Sequence, residues 1–209
     1  MSTEIYQRIN ELEKELNLPE GFYNKLSDDD DWSFIIKLHS LIEAAVTHTL
    51  VIALGDSRLE GVIAALQLGH KKTGKLAFVV ALDLLHELSV KLIIKLSELR
   101  NGLVHKISNV QFSLEDYVGN LNASQLNEFV EIFGFGFPDR FIDDYGKSVG
   151  KKMSRQDFFK AEPKINIWVT AMHCLDTLYL QKENALARAE LQKTKLEIAE
   201  AVTQKSEET

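Results

Sequence analysis

The sequence predicts an all-α protein, built as an antiparallel helical bundle that ends in one long helix. Apolar residues recur every three to four positions over most of the chain, which is the spacing of amphipathic helices. Only three prolines occur in 209 residues, and few stretches show the alternation of strands. This length suits one domain, with a core large enough to be stable without disulfides.

The composition limits the kinds of partner that we expect. The net charge of −7 argues against a globally basic nucleic-acid binder, so any RNA contact must come from a local patch. The single cysteine, Cys174, excludes an intramolecular disulfide framework and fits a reducing compartment. Residues 1–20 have no signal-peptide pattern, and we expect no run of the ~20 apolar residues that a membrane span needs. We therefore expect a cytoplasmic protein with no membrane partner.

The first two helices are delimited by clear signals. A short amphipathic helix is predicted over residues 3–16, ended by Asn17 and Pro19, so that residues 1–26 form an N-terminal helix and connector. Ser27 and the four aspartates after it suit the start of the next helix, where acidic side chains are favourable. That helix, over residues 32–54, is apolar on nearly all sides, which predicts a central position in the bundle.

The remaining helices follow in order to the end of the chain. Short helices are predicted over residues 75–82, 114–121 and 124–133, and an amphipathic one ends at His105. The segment over residues 133–141, FGFGFPDRF, breaks the pattern, and we favour a plug in the core over a dimer contact. From Pro163 one helix can run to about residue 204. The bundle is thus assigned to residues 27–180 and an extended helical tail to residues 181–209.

A carboxylate lies on the semi-apolar stripe of the central helix. Glu43 follows His39 by one helical turn, and burial there would raise the pKa of Glu43 unless a cation lies close. Arg100 or His105 is the partner that we expect. The alternative is a half-exposed pair formed by His39 and Glu43 alone.

The helix before His105 ends in Arg-Asn-Gly-Leu-Val-His. Asn101 and His105 lie on one helical face one turn apart, whereas Arg100 falls on the apolar flank, an unusual place for a guanidinium. Both basic side chains could still reach one anion. From the residues alone, an ion pair between Arg100 and a neighbouring carboxylate, with an exposed His105, is the alternative.

Arg100, Asn101 and His105 match the Arg-polar-x-x-x-His signature of the HEPN superfamily (higher eukaryotes and prokaryotes nucleotide-binding domains). The likeness extends to the earlier helix DDWSFIIKLHSLIEAAVTHTLV, so it covers roughly residues 30–120. The early helix alone is also loosely similar to mannitol-operon-repressor proteins. The resemblance implies a bundle of HEPN type, with metal-independent RNA cleavage in many members and non-catalytic binding or scaffold roles in others.

The resemblance also implies roles for individual residues. His105 would take the proton from a ribose 2′-hydroxyl, and Arg100 would stabilise charge on the phosphorane. Asn101 would orient the phosphate or the histidine, and Glu43 would position Arg100. No metal or cofactor is expected, and two protomers would bring their motifs together in a homodimer. The implied cellular role is a toxin paired with an antitoxin, or another defence ribonuclease; the alternative is a non-catalytic binding or regulatory module for RNA or a nucleotide.

A second candidate surface is a basic stretch in the acidic chain, over residues 146–164. Phosphate contacts would come from five side chains, Lys147, Lys151, Lys152, Arg155 and Lys160. Phe158 and Phe159 could stack on bases. The alternative is a solvated loop that these two phenylalanines anchor to the core. The stretch GHKKTGK, over residues 69–75, departs from a phosphate-binding loop, because Leu76 replaces Ser or Thr and no strand precedes it.

Overall fold

A computed structural model describes residues 3–70, 72–105 and 107–207, with the backbone alone for residues 107 and 201–207. Within these ranges the chain forms eleven α-helices and no strand, which confirms the all-α prediction. The helices are α1 (Thr3–Glu15), α2 (Phe22–Lys25), α3 (Asp31–Leu54), α4 (Glu60–Ala65), α5 (Lys75–Ala81), α6 (Glu87–Val104), α7 (Leu114–Gly119), α8 (Ala123–Gly134), α9 (Asp139–Ser148), α10 (Arg155–Ala161) and α11 (Pro163–Glu207).

Helix α3 is the centre of the fold, as its apolar composition predicts. It packs along α11 and also contacts α4, α5 and α6. Its fully buried side chains include Phe34, Ile35, Leu38, Ile42 and Leu50. Each such side chain contributes about 1.5–3 kcal/mol by leaving water. By length and composition alone α3 could also span a bilayer, although no such run of apolar residues was expected from the sequence. In the folded protein, however, 50% of the most apolar stretch of this helix is buried.

Both ends of α3 are fixed by local backbone and side-chain geometry. The Asp30 carboxylate accepts a hydrogen bond from the Ser33 backbone N–H at 2.9 Å, and Ser33 lowers the pKa of Asp30. At the other end Gly55 adopts the left-handed conformation with φ 70°, which glycine reaches without strain.

Helix α6 carries the Arg-Asn-x-x-x-His motif and ends where the motif ends. His86 precedes the helix, and its Nδ1 accepts a hydrogen bond from the Leu88 N–H. At the other end the Asn109 side chain donates to the carbonyl of Gly102 at 2.8 Å and to that of Leu103. These bonds satisfy carbonyls that have no partner within the helix. His105 is the C-cap residue of α6.

Polar contacts hold α1 against α11. Arg8 forms two hydrogen bonds to Asp176, and the buried Lys182 ammonium pairs with Glu15. The Tyr179 hydroxyl donates to Glu11. The N-terminal helix and the first residues of the predicted tail are therefore packed on the bundle.

Helix α11 confirms the predicted long C-terminal helix. It has 45 residues, which corresponds to about 65 Å. Its first half crosses the core, whereas the apolar side chains over residues 186–200 are exposed, among them Leu186, Leu191, Leu196 and Ile198. Residues 208–209 of the predicted tail lie outside the described residues.

The segment between α8 and α11 contains two helices that the sequence analysis did not predict, α9 and α10. Phe133 and Phe137 are buried, which agrees with a core plug, although Phe141 remains 38% exposed. Phe158 and Phe159 of α10 pack around Phe137 with edge-on ring contacts. Aromatic packing, which has no regular spacing in the sequence, thus organises this part of the chain.

Candidate functional site

Arg100 lines an open cleft between α3, α6 and the loop that precedes α5. The cleft has a volume of about 440 Å³. Its wall is mostly polar and comprises His39, Glu43, Gln67, Leu68, Gly69, His70, Ile94, Ser97, Glu98, Arg100 and Asn101. We call it the Arg100 cleft. The two predicted catalytic residues of α6 that line it are Arg100 and Asn101.

The Arg100 guanidinium is held only in part by the protein. Its Nη1 donates a hydrogen bond to the Asn101 side-chain oxygen at 3.1 Å. Its Nε is buried and has no hydrogen-bond partner among the described residues. A buried donor without an acceptor costs about 1–3 kcal/mol of free energy. An anionic ligand that supplies an acceptor to the guanidinium would remove this cost. Arginine is well suited to this, because its planar donors match phosphate oxygens.

Glu43 does not pair with the residue that we expected. The ammonium group of Lys75, on α5, lies 2.6 Å from Glu43 Oε1, and the Lys75 side chain is only 2% exposed. His39 Nδ1 lies 4.0 Å from the other carboxylate oxygen. Neither Arg100 nor His105 forms an ion pair with Glu43 in the described structure. The expected contact is therefore replaced, because α5 brings a lysine nearer to the carboxylate than α6 brings its arginine.

His105 is separated from the cleft of its own protomer. It is exposed at the end of α6 and is not among the residues that line the Arg100 cleft. Asn101 contacts Arg100 rather than the histidine. In one protomer, therefore, the motif supplies a cation and an amide to the cleft, while its histidine faces solvent.

A different histidine reaches the cleft. His39 is buried on α3, and its Nε2 lies 3.1 Å from the Ser97 hydroxyl of α6. Burial lowers the pKa of His39, and the positive charges of Arg100 and Lys75 act in the same direction, whereas Glu43 opposes them. His39 is consequently neutral near pH 7.

The loop before α5 forms the remaining wall and is tightly constrained. The His70 ring nitrogen Nδ1 accepts hydrogen bonds from the Thr73 backbone and hydroxyl. At Gly74 any Cβ would lie 2.3 Å from the Gln67 carbonyl oxygen and 2.7 Å from that of His70. Only glycine fits at that point, so Gly74 lets the loop fold back against the cleft.

The five basic residues predicted to bind RNA differ in what they contact. Lys147, Lys151 and Lys152 line a separate pocket of about 400 Å³. Lys147 is also paired with Asp144. Lys160 is exposed on α10.

The Arg155 guanidinium has a structural role. It pairs with Asp139 and donates to the carbonyls of Gly134 and Phe137. Phe158 and Phe159 are buried at 4% and 0% exposure, so the predicted base stacking by these rings is wrong. They anchor the segment to the core, as the alternative expected, but they do so from a helix, α10, and not from a solvated loop.

Four residues of the Arg100 cleft and its supporting shell were missed as functional candidates: His39, His70, Lys75 and Ser97. The sequence does contain a signal for His39, because this residue lies one helical turn from Glu43. Lys75 is the last residue of the GHKKTGK stretch and the first of α5, and nothing in the sequence pairs it with a glutamate 32 positions away. Ser97 and His70 become relevant only once α3, α6 and the loop are packed together.

No group of three or more metal-binding side chains occurs among the described residues. Comparison with known proteins adds no identification: no family model, curated protein or solved structure matches the chain.

Proposed function

We propose that this protein is a metal-independent endoribonuclease of HEPN type, with its helices in the antiparallel arrangement of that superfamily. The observation that carries the proposal is the position of Arg100, whose buried Nε lacks a partner among the described residues in a solvent-open cleft. The motif resemblance supplies the reaction, and the cleft supplies a place for the scissile phosphate.

The chemistry needs an anion site and two proton transfers. Arg100 binds the phosphate and stabilises the charge that builds up on the phosphorane, while Asn101 fixes the guanidinium through its side-chain oxygen. The ribose 2′ oxygen attacks phosphorus, the bond to the 5′ oxygen breaks, and the products carry a 2′,3′-cyclic phosphate and a 5′-hydroxyl. His105 takes part in the proton transfers. Because the nucleophile belongs to the substrate, no metal ion is required.

A homodimer completes the site in this proposal. His105 lies outside its own cleft, so it acts in the cleft of a second copy. The end of α6 is suited to close approach: a Cβ at Gly102 would meet nothing within 4 Å, and Val104 is 37% exposed. Two α6 helices packed at this point bring each His105 towards the partner's Arg100 cleft.

Lys147, Lys151 and Lys152 provide a secondary contact for the RNA backbone, since they share one pocket. Arg155 is not part of that surface, because protein groups occupy its guanidinium. In the cell we place the protein in the cytoplasm, as a toxin or defence ribonuclease, with an antitoxin protein as its possible regulator.

A second candidate function is a non-catalytic binding or regulatory module for RNA or a nucleotide. The observation that favours it is the exposure of His105 away from the Arg100 cleft. Such a module uses the same cleft to hold a phosphate and carries out no chemistry. Binding that Arg100→Ala removes, without cleavage by the wild type, is its signature.

The experiment is RNA cleavage in the presence of EDTA. Wild-type protein, Arg100→Ala and the matched control Arg188→Ala, an exposed arginine of the distal half of α11, are incubated with single-stranded RNA. We expect cleavage by the wild type and the control, and a loss of about hundredfold or more for Arg100→Ala. Equal cleavage by all three proteins, or none by a folded wild type, contradicts the proposal.

A further inference from the structure

The proton on the buried His39 can be located from its neighbours. The Ser97 hydroxyl donates its single hydrogen to the Ile93 carbonyl at 2.8 Å. It can therefore only accept from His39, whose Nε2 lies 3.1 Å away. Nε2 thus carries the proton of the neutral ring, and Nδ1 presents a lone pair.

That lone pair is placed where a new proton would be stabilised. Nδ1 lies 4.0 Å from Glu43 Oε2, while the other oxygen of this carboxylate is held by Lys75 at 2.6 Å. When Nδ1 gains a proton, the imidazolium forms beside a fixed negative charge. Before that step, the ring stays neutral because burial lowers its pKa, and the positive charges of Arg100 and Lys75 act in the same direction. A neutral imidazole with a free nitrogen next to a carboxylate is a general base.

We propose that His39 is the general base of the reaction, within the same protomer and the same cleft as Arg100. This inference rests on the proposed ribonuclease function and changes one of its assignments. His39 Nδ1 takes the proton of the 2′-hydroxyl as the 2′ oxygen attacks phosphorus. The bond between phosphorus and the 5′ oxygen breaks, and the 5′ oxygen receives a proton from His105 of a second copy. The exposed histidine thus serves the second proton transfer, not the first.

Two positioning residues follow from this assignment. Ser97 selects the tautomer, because its hydroxyl requires the Nε2–H of His39. Lys75 holds one oxygen of the Glu43 carboxylate at 2.6 Å, which keeps the other oxygen 4.0 Å from Nδ1. Both act through His39, and both lie outside the Arg-Asn-x-x-x-His motif: Ser97 on α6 ahead of the motif and Lys75 on α5.

The test is a set of variants assayed on one RNA oligonucleotide in EDTA across a pH series. His39→Gln keeps an N–H that can reach Ser97 and removes the base. His48→Gln is the matched control, since His48 also pairs with a glutamate, Glu15, but lies outside the Arg100 cleft. We expect His39→Gln to lose about hundredfold or more in kcat, and His48→Gln to stay within about twofold of the wild type.

The pH series and one further variant give independent readouts. The wild-type rate should fall on acidification with a midpoint below 6.5, and His39→Gln should lack this acid limb. Ser97→Ala frees the tautomer and should lower kcat about tenfold, without removing the ring. Thermal melting of each variant verifies that it is folded. A folded His39→Gln that cleaves within about threefold of the wild type overturns the inference.

The two proposals fail in different ways. If Arg100→Ala is inactive while His39→Gln cleaves normally, the ribonuclease function stands and His39 is not the base. If the folded wild type cleaves no RNA in EDTA, the proposed function fails and the assignment of His39 fails with it.

Discussion

The Lys75 ammonium lies 2.6 Å from Glu43 Oε1, so the carboxylate next to the Arg100 cleft is neutralised by α5 and not by α6. Arg100 therefore keeps its positive charge without a carboxylate partner among the described residues. A cleft whose guanidinium has no carboxylate partner attracts phosphate, whereas one closed by an internal ion pair does not. This arrangement is the physical basis of the function that we propose.

Replacing Lys75 with Met should destabilise the protein, because the hydrogen bond to Glu43 is lost and a half-buried carboxylate is left unpaired. We expect a decrease of about 1–3 kcal/mol in the free energy of unfolding, measured with urea. Lys37→Met is the control, since Lys37 pairs with Asp29 but its side chain is 47% exposed. The control should change by less than about 1 kcal/mol. Equal losses would mean that burial does not strengthen the Lys75–Glu43 pair.

Gly74→Ala should disturb the loop that forms one wall of the cleft. The new methyl group would lie 2.3 Å from the Gln67 carbonyl oxygen, so the loop has to move. We expect a loss of about 1–3 kcal/mol in urea unfolding and weaker RNA binding. At Gly61 of α4 a Cβ meets nothing within 4 Å, so Gly61→Ala should be neutral or stabilising by up to about 1 kcal/mol. Unaltered RNA binding by Gly74→Ala would show that this loop does not contribute to the RNA-binding site.

The stability of the protein should depend on the protonation of His39. Its pKa is lowered in the folded state from the ordinary value of 6.5, so the unfolded chain binds the proton first as the pH falls. The contribution of the neutral His39 ring to the free energy of unfolding is fully present above pH 6.5 and is lost as the pH falls below that value. Urea unfolding at pH 7.5 and 5.5 should show a larger loss for the wild type than for His39→Gln. Identical losses would contradict a depressed pKa.

Two truncations separate the packed and exposed parts of α11. Removing residues 186–209 deletes only exposed or undescribed side chains and should leave the melting temperature nearly unchanged. Removing residues 181–209 also deletes the buried Lys182 that holds Glu15. We expect this truncation to lower the melting temperature by about 2–4 °C for each kcal/mol of stability lost. Light scattering should find both proteins as dimers. A monomer after the shorter truncation would place the dimer contact in the tail and not at α6.

The sequence is sufficient to predict the long helices and their ends, but it is not sufficient to predict the contacts between the helices. Asp30, one of the four aspartates predicted to start α3, caps that helix, and Ser113 and Asn122 cap α7 and α8, because capping depends on neighbours within three residues. The short helices α4, α9 and α10 were not predicted, since packing rather than periodicity stabilises them.

The same distinction applies to the candidate site. The Arg-Asn-x-x-x-His motif is local and was visible in the sequence, and the structure places Arg100 and Asn101 in the Arg100 cleft. The pairing of Lys75 with Glu43 joins two helices through a loop, and the occupation of Arg155 depends on carbonyls of residues 134 and 137. Contacts of this kind follow from tertiary packing, which no spacing in the chain encodes.

The measurement that tests the central claim most directly compares an RNA oligonucleotide with its fully 2′-O-methylated counterpart, both incubated with the protein in EDTA. Methylation blocks the attacking oxygen and leaves the phosphates in place, so binding persists and internal attack cannot occur. The account predicts that only the unmodified RNA is cut, with mass spectrometry detecting 2′,3′-cyclic phosphate ends. Cleavage of both oligonucleotides, or of neither by a folded dimer, would contradict it.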